Sequence, residues 1–364
     1  MPTASSTSSA ASGKATLMAG NEAAGEGAIR AGCDFYAGYP ITPQNELTAY
    51  MADQLPLRGG TFVQAESEIA AINMLYGASG AGARCMTSSS SPGISLKQEG
   101  ISYLAGSELP AVIVNMSRGG PGLGDISPSQ GDYYQSTRGG GHGDYRHIAL
   151  APTSVQEVAE LTYLAFDLAD KYRTPVLVVG DGMIGQMMEP VTLDHLPEPQ
   201  QPEKPWALSG AEGREQNIVK SFFPVKGDLE KFNEKLQKKY RTIEQEEVRF
   251  KESGSDDPSV LLVAYGTCAR ICGQVVSDPP EGMEDELALL RPETLWPFCT
   301  DRIAELAEQV DAVLVVEMNA GQMLDDVKLA VEGRCPVHFH GRMGGGVPTA
   351  AEVADKLISL SQKT

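Results

Sequence analysis

Along the first half of this chain, short apolar runs alternate with longer stretches whose apolar positions recur every three or four residues. The runs "CDFYAGY", "TFVQAE", "ARCMTSS", "AVIVNMS" and "TPVLVVGD" are continuous, and each stops at or beside Gly, Ser, Pro or an acid. Continuous apolar strands belong to a parallel sheet covered on both faces, and the stretches between them supply the covering helices. One such stretch follows Ser67, with Ile69, Ile72, Leu75 and Tyr76 at helical spacing. The pattern predicts an α/β domain over residues 15–195.

Residues 196–256 read differently. The approach "EPVTLDHLPEPQQPEKPW" is proline-rich and extended, and "DLEKFNEKLQKKYRTIEQEEVRF" predicts one charged amphipathic helix with Leu229, Phe232, Leu236, Tyr240 and Ile243 on its apolar stripe. "KESGSDDPS" ends it, so this is a long linker with a surface helix. A second alternation, from "SVLLVAYG" through "ELALLRPETLWPF", "TDRIAELAEQV", "DAVLVVEMN" and "CPVHFHG" to "TAAEVADKLISL", predicts another parallel-sheet domain over residues 257–364. The 364-residue length suits two cores. Residues 1–14 are small, polar and of low complexity, which predicts a disordered tail or an appended segment, without the basic-then-apolar layout of a secretory signal.

Composition narrows the partners. With 41% hydrophobic and 21% charged residues the chain is ordinary for a globular protein, but its net charge is −19. Nucleic acids and anionic membranes require a basic footprint, so neither is expected. No run approaches the roughly 18 apolar residues of a membrane span. Six cysteines are scattered, and only Cys268 and Cys272 lie close. Zinc and iron–sulfur sites need clustered thiolates, so no metal ligation is expected in this chain, and reduced thiols point to the cytoplasm.

Four stretches carry candidate chemistry. In "CDFYAGYPITPQNEL" a strand stops and Pro40 and Pro43 fix two φ angles before a helix begins. That edge of a parallel sheet is where ligands bind. "GGPGLGD" and "GAGARC" lack the order of a dinucleotide fingerprint, and no Walker sequence exists. The serines Ser88 to Ser91 lack a nucleophile elbow and read as hydroxyls and amides at a helix start. In "VQAESEIAAINMLYG", Ser67 can cap a helix that begins at Glu68, where the helix dipole favours a carboxylate. Ile69, Ala70, Ala71 and Ile72 make the first turn nearly all apolar, which predicts a desolvated Glu68 able to exchange a proton; Glu66 is the weaker candidate. Finally, "VIVNMSRGGPGLGDISPSQGDYYQSTRGGGHGDYR" delivers Arg118 into a glycine-rich loop of about 25 residues, a length that usually signals function. Arg118 can offer a planar fork to a carboxylate or make a structural ion pair. His142 can reach a ligand or face solvent.

Together these stretches resemble the alpha subunit of the thiamine-dependent 2-oxoacid:ferredoxin oxidoreductases. Matching segments run from "GNEAAGEGAIRAGCDFYAGYPITPQNEL" through "QAESEIAAINMLYGASGAGARCMTSSSSPGISL" and "RGGPGLGDISPSQGDYYQSTRGGGHGDYR" to "RPETLWPF" and "VVEMNAGQMLDDV". The resemblance implies a thiamine-pyrimidine-binding first domain and a transketolase C-terminal-like second domain. Glu68 matches the glutamate that hydrogen-bonds the aminopyrimidine of thiamine diphosphate and favours its imino tautomer. Thr42 matches the threonine that meets the 2-oxoacid, and Arg118 the arginine that holds its carboxylate, with His142 a further substrate-side candidate. Pro40, Ile41, Ser90 and Ser91 would line the cofactor.

What the chain lacks extends this reading. Such enzymes commonly hold Mg²⁺ and the diphosphate with Gly-Asp-Gly and a downstream Asn-Asn. Here Gly180-Asp181-Gly182 is followed by "PEKPWALSGAEG", so a tight turn is the better reading. A beta subunit is therefore expected to carry the diphosphate/Mg²⁺ site, and gamma and ferredoxin-like delta subunits the remaining parts and the [4Fe-4S] clusters. The charge of −19 suits ferredoxin contact through those partners. The expected reaction takes a 2-oxoacid and CoA to acyl-CoA, CO₂ and reduced ferredoxin. The "RGGGHGD" stretch looks most like branched-chain (2-oxoisovalerate) members. A 2-oxoglutarate enzyme would need a second cation, for which Arg138 or Arg146 are candidates. A non-redox thiamine decarboxylase or transketolase-like half, and a scaffold without chemistry, are the competing readings.

Overall fold

Runs of Val, Ile, Leu and Ala that lose all solvent contact form the strands, as their unbroken apolar pattern requires. The computed structural model describes residues 15–361; the expectation for residues 1–14 lies outside the described residues. The strands are β1 (Thr16–Ala19), β2 (Phe35–Gly38), β3 (Thr61–Gln64), β4 (Cys85–Ser89), β5 (Ala111–Gly119), β6 (Asp125–Pro128), β7 (Ile148–Leu150), β8 (Pro175–Asp181), β9 (Met188–Val191), β10 (Phe250–Gly254), β11 (Val260–Val263), β12 (Leu287–Pro292), β13 (Thr294–Trp296), β14 (Ala312–Glu317) and β15 (Val337–Gly341). The helices are α1 (Gly20–Arg30), α2 (Asn45–Leu57), α3 (Glu68–Gly80), α4 (Ser91–Gly106), α5 (Tyr133–Arg138), α6 (Val155–Tyr172), α7 (Gly182–Gln186), α8 (Asp228–Glu246), α9 (Gly266–Ser277), α10 (Thr300–Ala307), α11 (Gln322–Val331) and α12 (Ala350–Ser361).

The large sheet runs β13-β7-β8-β5-β4-β2-β3, parallel except for β13, with β6 hairpinned onto the end of β5. The second sheet runs β10-β12-β11-β14-β15, parallel except for β10. Two parallel-sheet units therefore exist, as the alternation predicts. Three details depart from the sequence reading. The stretch taken as the end of the linker forms β10, an edge strand of the second sheet. "ETLW" crosses over as β13 and pairs with β7 of the first sheet. The glycine-rich loop after Arg118 is interrupted by β6 and α5. The surface helix is α8, which buries Leu236, Tyr240 and Ile243 and leaves Leu229 half exposed.

Gln130 links the units. Its amide donates to the Tyr265 carbonyl at 2.8 Å and accepts from the Met318 amide at 2.9 Å. Its own carbonyl accepts from Asn319 at 2.9 Å. Asp181 of the Gly-Asp-Gly accepts from the Met183 and Ile184 amides at the start of α7 and from Thr267 Oγ1 at 2.9 Å. It is thus occupied with capping and with the second unit, which is the tight-turn role.

Candidate functional site

The carboxyl ends of β2, β3, β4 and β5 lie on one side of the large sheet, where Pro40, Thr42 and Ser90 stand in the connections, Glu68 opens α3 and Arg118 is the next-to-last residue of β5. Ser67 caps α3 by accepting the Ala70 amide at 3.2 Å, which places Glu68 in the first turn. Glu68 is only 6% exposed. The sequence attributes that burial to an apolar first turn, yet Ile69 is 50% exposed. The shield comes from α4 instead. A side chain at Gly93 would stand 2.6 Å from Glu68 Oε1 and 2.0 Å from Ser89 Oγ, so the missing Cβ is the space these groups share. Glu66 is exposed.

Hydrogen-bond accounting separates Glu68 from every other buried acid. Glu26, Glu108, Glu247, Glu317 and Asp181 are each held by donors. Among the described residues no group donates to Glu68, and no cation lies within ion-pair distance of it. Beside it, Ser89 Oγ and Ser90 Oγ are buried without partners. Unpaired buried polar groups are costly and need an explanation.

Arg118 is buried at the end of β5 and splits its fork between two backbone carbonyls, Thr42 and Leu123, each at 2.9 Å. Its Nε finds no partner. This is neither free guanidinium nor the ion pair of the alternative reading; three of its five donors remain available. Thr42 Oγ1 accepts from Asn45 at 3.2 Å and keeps its own proton to donate. Arg118 and Thr42 are therefore physically tied. Pro40 is exposed and Ile41 half-buried beside them.

Ser91 joins the two sides. Its Oγ accepts the Arg118 amide at 3.0 Å and donates to Asp132 at 2.6 Å. Asn115 also donates to Asp132, at 2.8 Å. Burial pushes the Asp132 carboxyl above its ordinary range, against hydrogen bonding from Asn115, Ser91 and Ser117. Sequence reasoning missed Asp132; its only signal is an acid in the loop after Arg118.

His142 is elsewhere. Ser102 Oγ donates to its carbonyl at 2.7 Å, and its ring meets Tyr103 edge-on in a groove shared with Phe223 and Phe232. Ser102 lies about three turns, or about 16 Å, along α4 from Ser91. Arg138 is bridged to Asp326 at 2.7 Å, and Arg146 donates to the Arg138 carbonyl. Neither turns toward Arg118. Among the described residues no group of three or more His, Cys, Asp or Glu could hold a metal ion, and no helix is long and apolar enough to cross a membrane. All six cysteines are free.

Comparison with known proteins gives the family. Residues 26–247 match the family described as pyruvate flavodoxin/ferredoxin oxidoreductase, thiamine diphosphate-binding, and residues 259–353 match pyruvate:ferredoxin oxidoreductase core domain II. The chain is 50% identical over 346 residues to the ketoisovalerate oxidoreductase subunit VorB of Methanothermobacter thermautotrophicus, covering 95% of this chain and 97% of that one. It is 41% identical to the 2-oxoglutarate synthase subunit KorA of Archaeoglobus fulgidus, covering 86% and 90%. Among solved structures, the 2-oxoglutarate:ferredoxin oxidoreductase of Magnetococcus marinus superposes with a TM-score of 0.81 at 27% identity, covering 95% of this chain and 65% of that one. A split-gene transketolase shares the fold alone, with a TM-score of 0.58 at 14% identity. The chain is a member of the 2-oxoacid:ferredoxin oxidoreductase family, and its first unit is that family's thiamine diphosphate-binding domain.

Proposed function

We propose that this chain is the alpha subunit of a cytoplasmic complex that converts a branched-chain 2-oxoacid and CoA to acyl-CoA and CO₂ and passes the electrons to ferredoxin. The observation that carries this is Glu68, a buried acid with no protein donor, set beside the unpaired hydroxyls of Ser89 and Ser90. Such a cluster fits the polar edge of an aminopyrimidine, so the residues present fit that end of thiamine diphosphate. Glu68 would hydrogen-bond the ring, with Ser90, Ser91, Pro40 and Ile41 around it. When bound, thiamine diphosphate supplies a nucleophilic carbon and an electron sink for decarboxylation. Arg118, with its unused Nε, would hold the substrate carboxylate, and the Thr42 hydroxyl would donate to the adjacent oxygen. Their shared hydrogen bond fixes one relative to the other, which is catalysis by positioning. His142 is given no part.

The diphosphate, its Mg²⁺ and the iron–sulfur clusters would lie on beta, gamma and delta partners, since Asp181 is committed to capping and the cysteines are dispersed. Exposed apolar side chains next to site residues, Tyr39, Ile69, Leu96 and Leu123, support a partner closing over this edge. The branched-chain assignment is supported by the ketoisovalerate relative and by the engagement of Arg138 and Arg146 away from Arg118. 2-Oxoglutarate is the second reading, favoured by the 41% identical relative.

The test is turnover of the co-purified complex with a panel of 2-oxoacids, CoA and a low-potential dye. Rates should be highest with 2-oxoisovalerate, and Glu68→Gln should assemble yet lose turnover and thiamine diphosphate affinity. Undiminished turnover in that variant would overturn the proposal, and a clear preference for 2-oxoglutarate would overturn the substrate class.

A further inference from the structure

One cation is buried under the site, where a helix ordinarily places an apolar side chain. Lys97 of α4 is fully buried, and its ammonium donates to Thr87 Oγ1 at 3.0 Å. A neutral hydroxyl is meagre compensation for desolvating an ammonium. Lys97 stands one turn after Gly93 on the same helix face, and helical side chains lean back toward the N-terminus. Gly93 is the position whose missing side chain leaves room for the Glu68 carboxylate. The lysine therefore runs along the inside of α4 toward an acid that no other group compensates. Burial draws its ammonium down to about 7, and the Glu68 charge draws it back up.

Other charged groups around α4 are spoken for. Asp132 meets its first residue, Ser91, and is held there by Asn115. The Arg118 guanidinium is turned to Thr42 and Leu123. Tyr76 and His142 reach only the far end, at Ser107 and Ser102. Glu99 and Tyr103, on α4 itself, face outward and bond each other.

We propose that Lys97 is a positioning residue for the cofactor site: its ammonium holds Glu68 as an anion through space, and so sets the pH range in which Glu68 can accept a hydrogen bond from a bound heterocycle. An opposite charge nearby favours the ionised form of a desolvated acid, and its removal leaves that acid to take up a proton. The inference rests on the reading of Glu68 as cofactor-facing, and the two are separable by experiment.

The full chain, purified with its partner subunits and stripped of cofactor, would be titrated while infrared difference spectra are recorded. The protonated-carboxyl band that is absent from Glu68→Gln belongs to Glu68. Its midpoint should rise by about one pH unit or more in Lys97→Met, and Lys97→Arg, which keeps a permanent charge, should hold it at or below the wild-type value. In calorimetry the high-pH shift of Lys97→Met should reappear in the pH dependence of thiamine diphosphate affinity. A Glu68 midpoint indifferent to Lys97→Met, or one that rises equally in the arginine variant, would sink the inference; the arginine arm decides alone should the methionine variant fail to assemble. If the midpoint moves as expected but thiamine diphosphate binds Glu68→Gln as tightly as wild type, the coupling stands and the cofactor reading falls. If affinity needs Glu68 while its titration ignores Lys97, the reverse holds.

Discussion

Glu68 and Glu317 occupy corresponding places in the two units. Each sits near a junction of parallel strand and helix, Glu68 as the first residue of α3 and Glu317 as the last of β14, and each is buried, 6% and 0% exposed. Glu317 is saturated: Asn319 Nδ2 and the Met323 amide donate at 2.8 Å, and the Leu324 amide at 3.0 Å. It closes the start of α11, and burial pushes its carboxyl up against those bonds. Glu68 instead opens its helix, as the first residue of α3, and has none of the donors. A buried acid that a fold uses for itself is surrounded by hydrogen bonds; one left bare is kept for something the chain does not contain. At the Glu68 edge the unpaired hydroxyls of Ser89 and Ser90 and the spare Arg118 Nε accompany it.

Substitution to glutamine should divide the pair most sharply. In Glu68→Gln, turnover of the complex should fall about 10²–10⁴-fold, the range of a lost acid–base partner. Its urea midpoint should hardly move above about pH 8, where the buried Lys97 is mostly neutral and no protein hydrogen bond is lost. A large stability loss with modest loss of rate would erase the distinction.

Lys97→Met sharpens the comparison next, because a bare acid with a buried cation below it leaves a pH signature that a saturated acid does not. The Lys97 ammonium is lowered from 10.5 to about 7 by burial, with Glu68 opposing. A lowered lysine penalises the fold in its charged form. That cost is absent well above pH 10, grows as pH falls through the unfolded value, and is fully present below about 7. Replacement by Met should therefore stabilise the chain by about 2 kcal/mol or more at pH 6, with the gain shrinking toward pH 10. Urea unfolding at both pH values measures it, and a pH-independent difference would contradict the assignment.

Glu317→Gln tests the other side. The amide keeps one acceptor and turns a donor toward a backbone N–H, at a cost of about 1–3 kcal/mol. Turnover per folded molecule should stay near wild type. A variant that folds normally but loses activity would mean that Glu317, too, serves the chemistry.

The sequence displayed one member of this pair better than the other. Glu68 was legible because a cap, an acid and a helix start follow a strand, but the reason for its burial was not. The apolar first turn faces outward at Ile69, and the shield is Gly93, distant in sequence and informative only once α4 is placed. Lys97 stayed hidden because a lysine in a helical stretch reads as solvent face, and only tertiary packing turns it inward. Asp132 looked like loop polarity. The parallel strands β5, β8 and β14, of nine, seven and six residues, were plain in their apolar runs. By contrast β1, β6, β7 and β13, of three or four residues each, lie outside the continuous apolar runs, and they exist because neighbouring strands hold them. His142 lay among glycines whose path no local rule fixes; contacts with α4 carry it away from Arg118.

Ser91→Ala is the mildest probe, and it asks how the bare region stays ordered without saturating its acid. Ser91 Oγ takes the Arg118 amide and gives its proton to Asp132, so it connects the substrate side to the helix that shields Glu68. Removing it deletes its contacts with the Arg118 backbone and with Asp132, which keeps Asn115 as a donor. The expected effect is about 1 kcal/mol, felt mainly by Arg118. That corresponds to a KM for the 2-oxoacid raised roughly fivefold, while kcat and the Glu68 titration stay close to wild type. Steady-state kinetics over a range of 2-oxoacid concentrations separates the two constants. If kcat fell and KM did not, Ser91 would act through the cofactor ring it borders and not through Arg118, and its tie to the substrate side would carry no weight in catalysis.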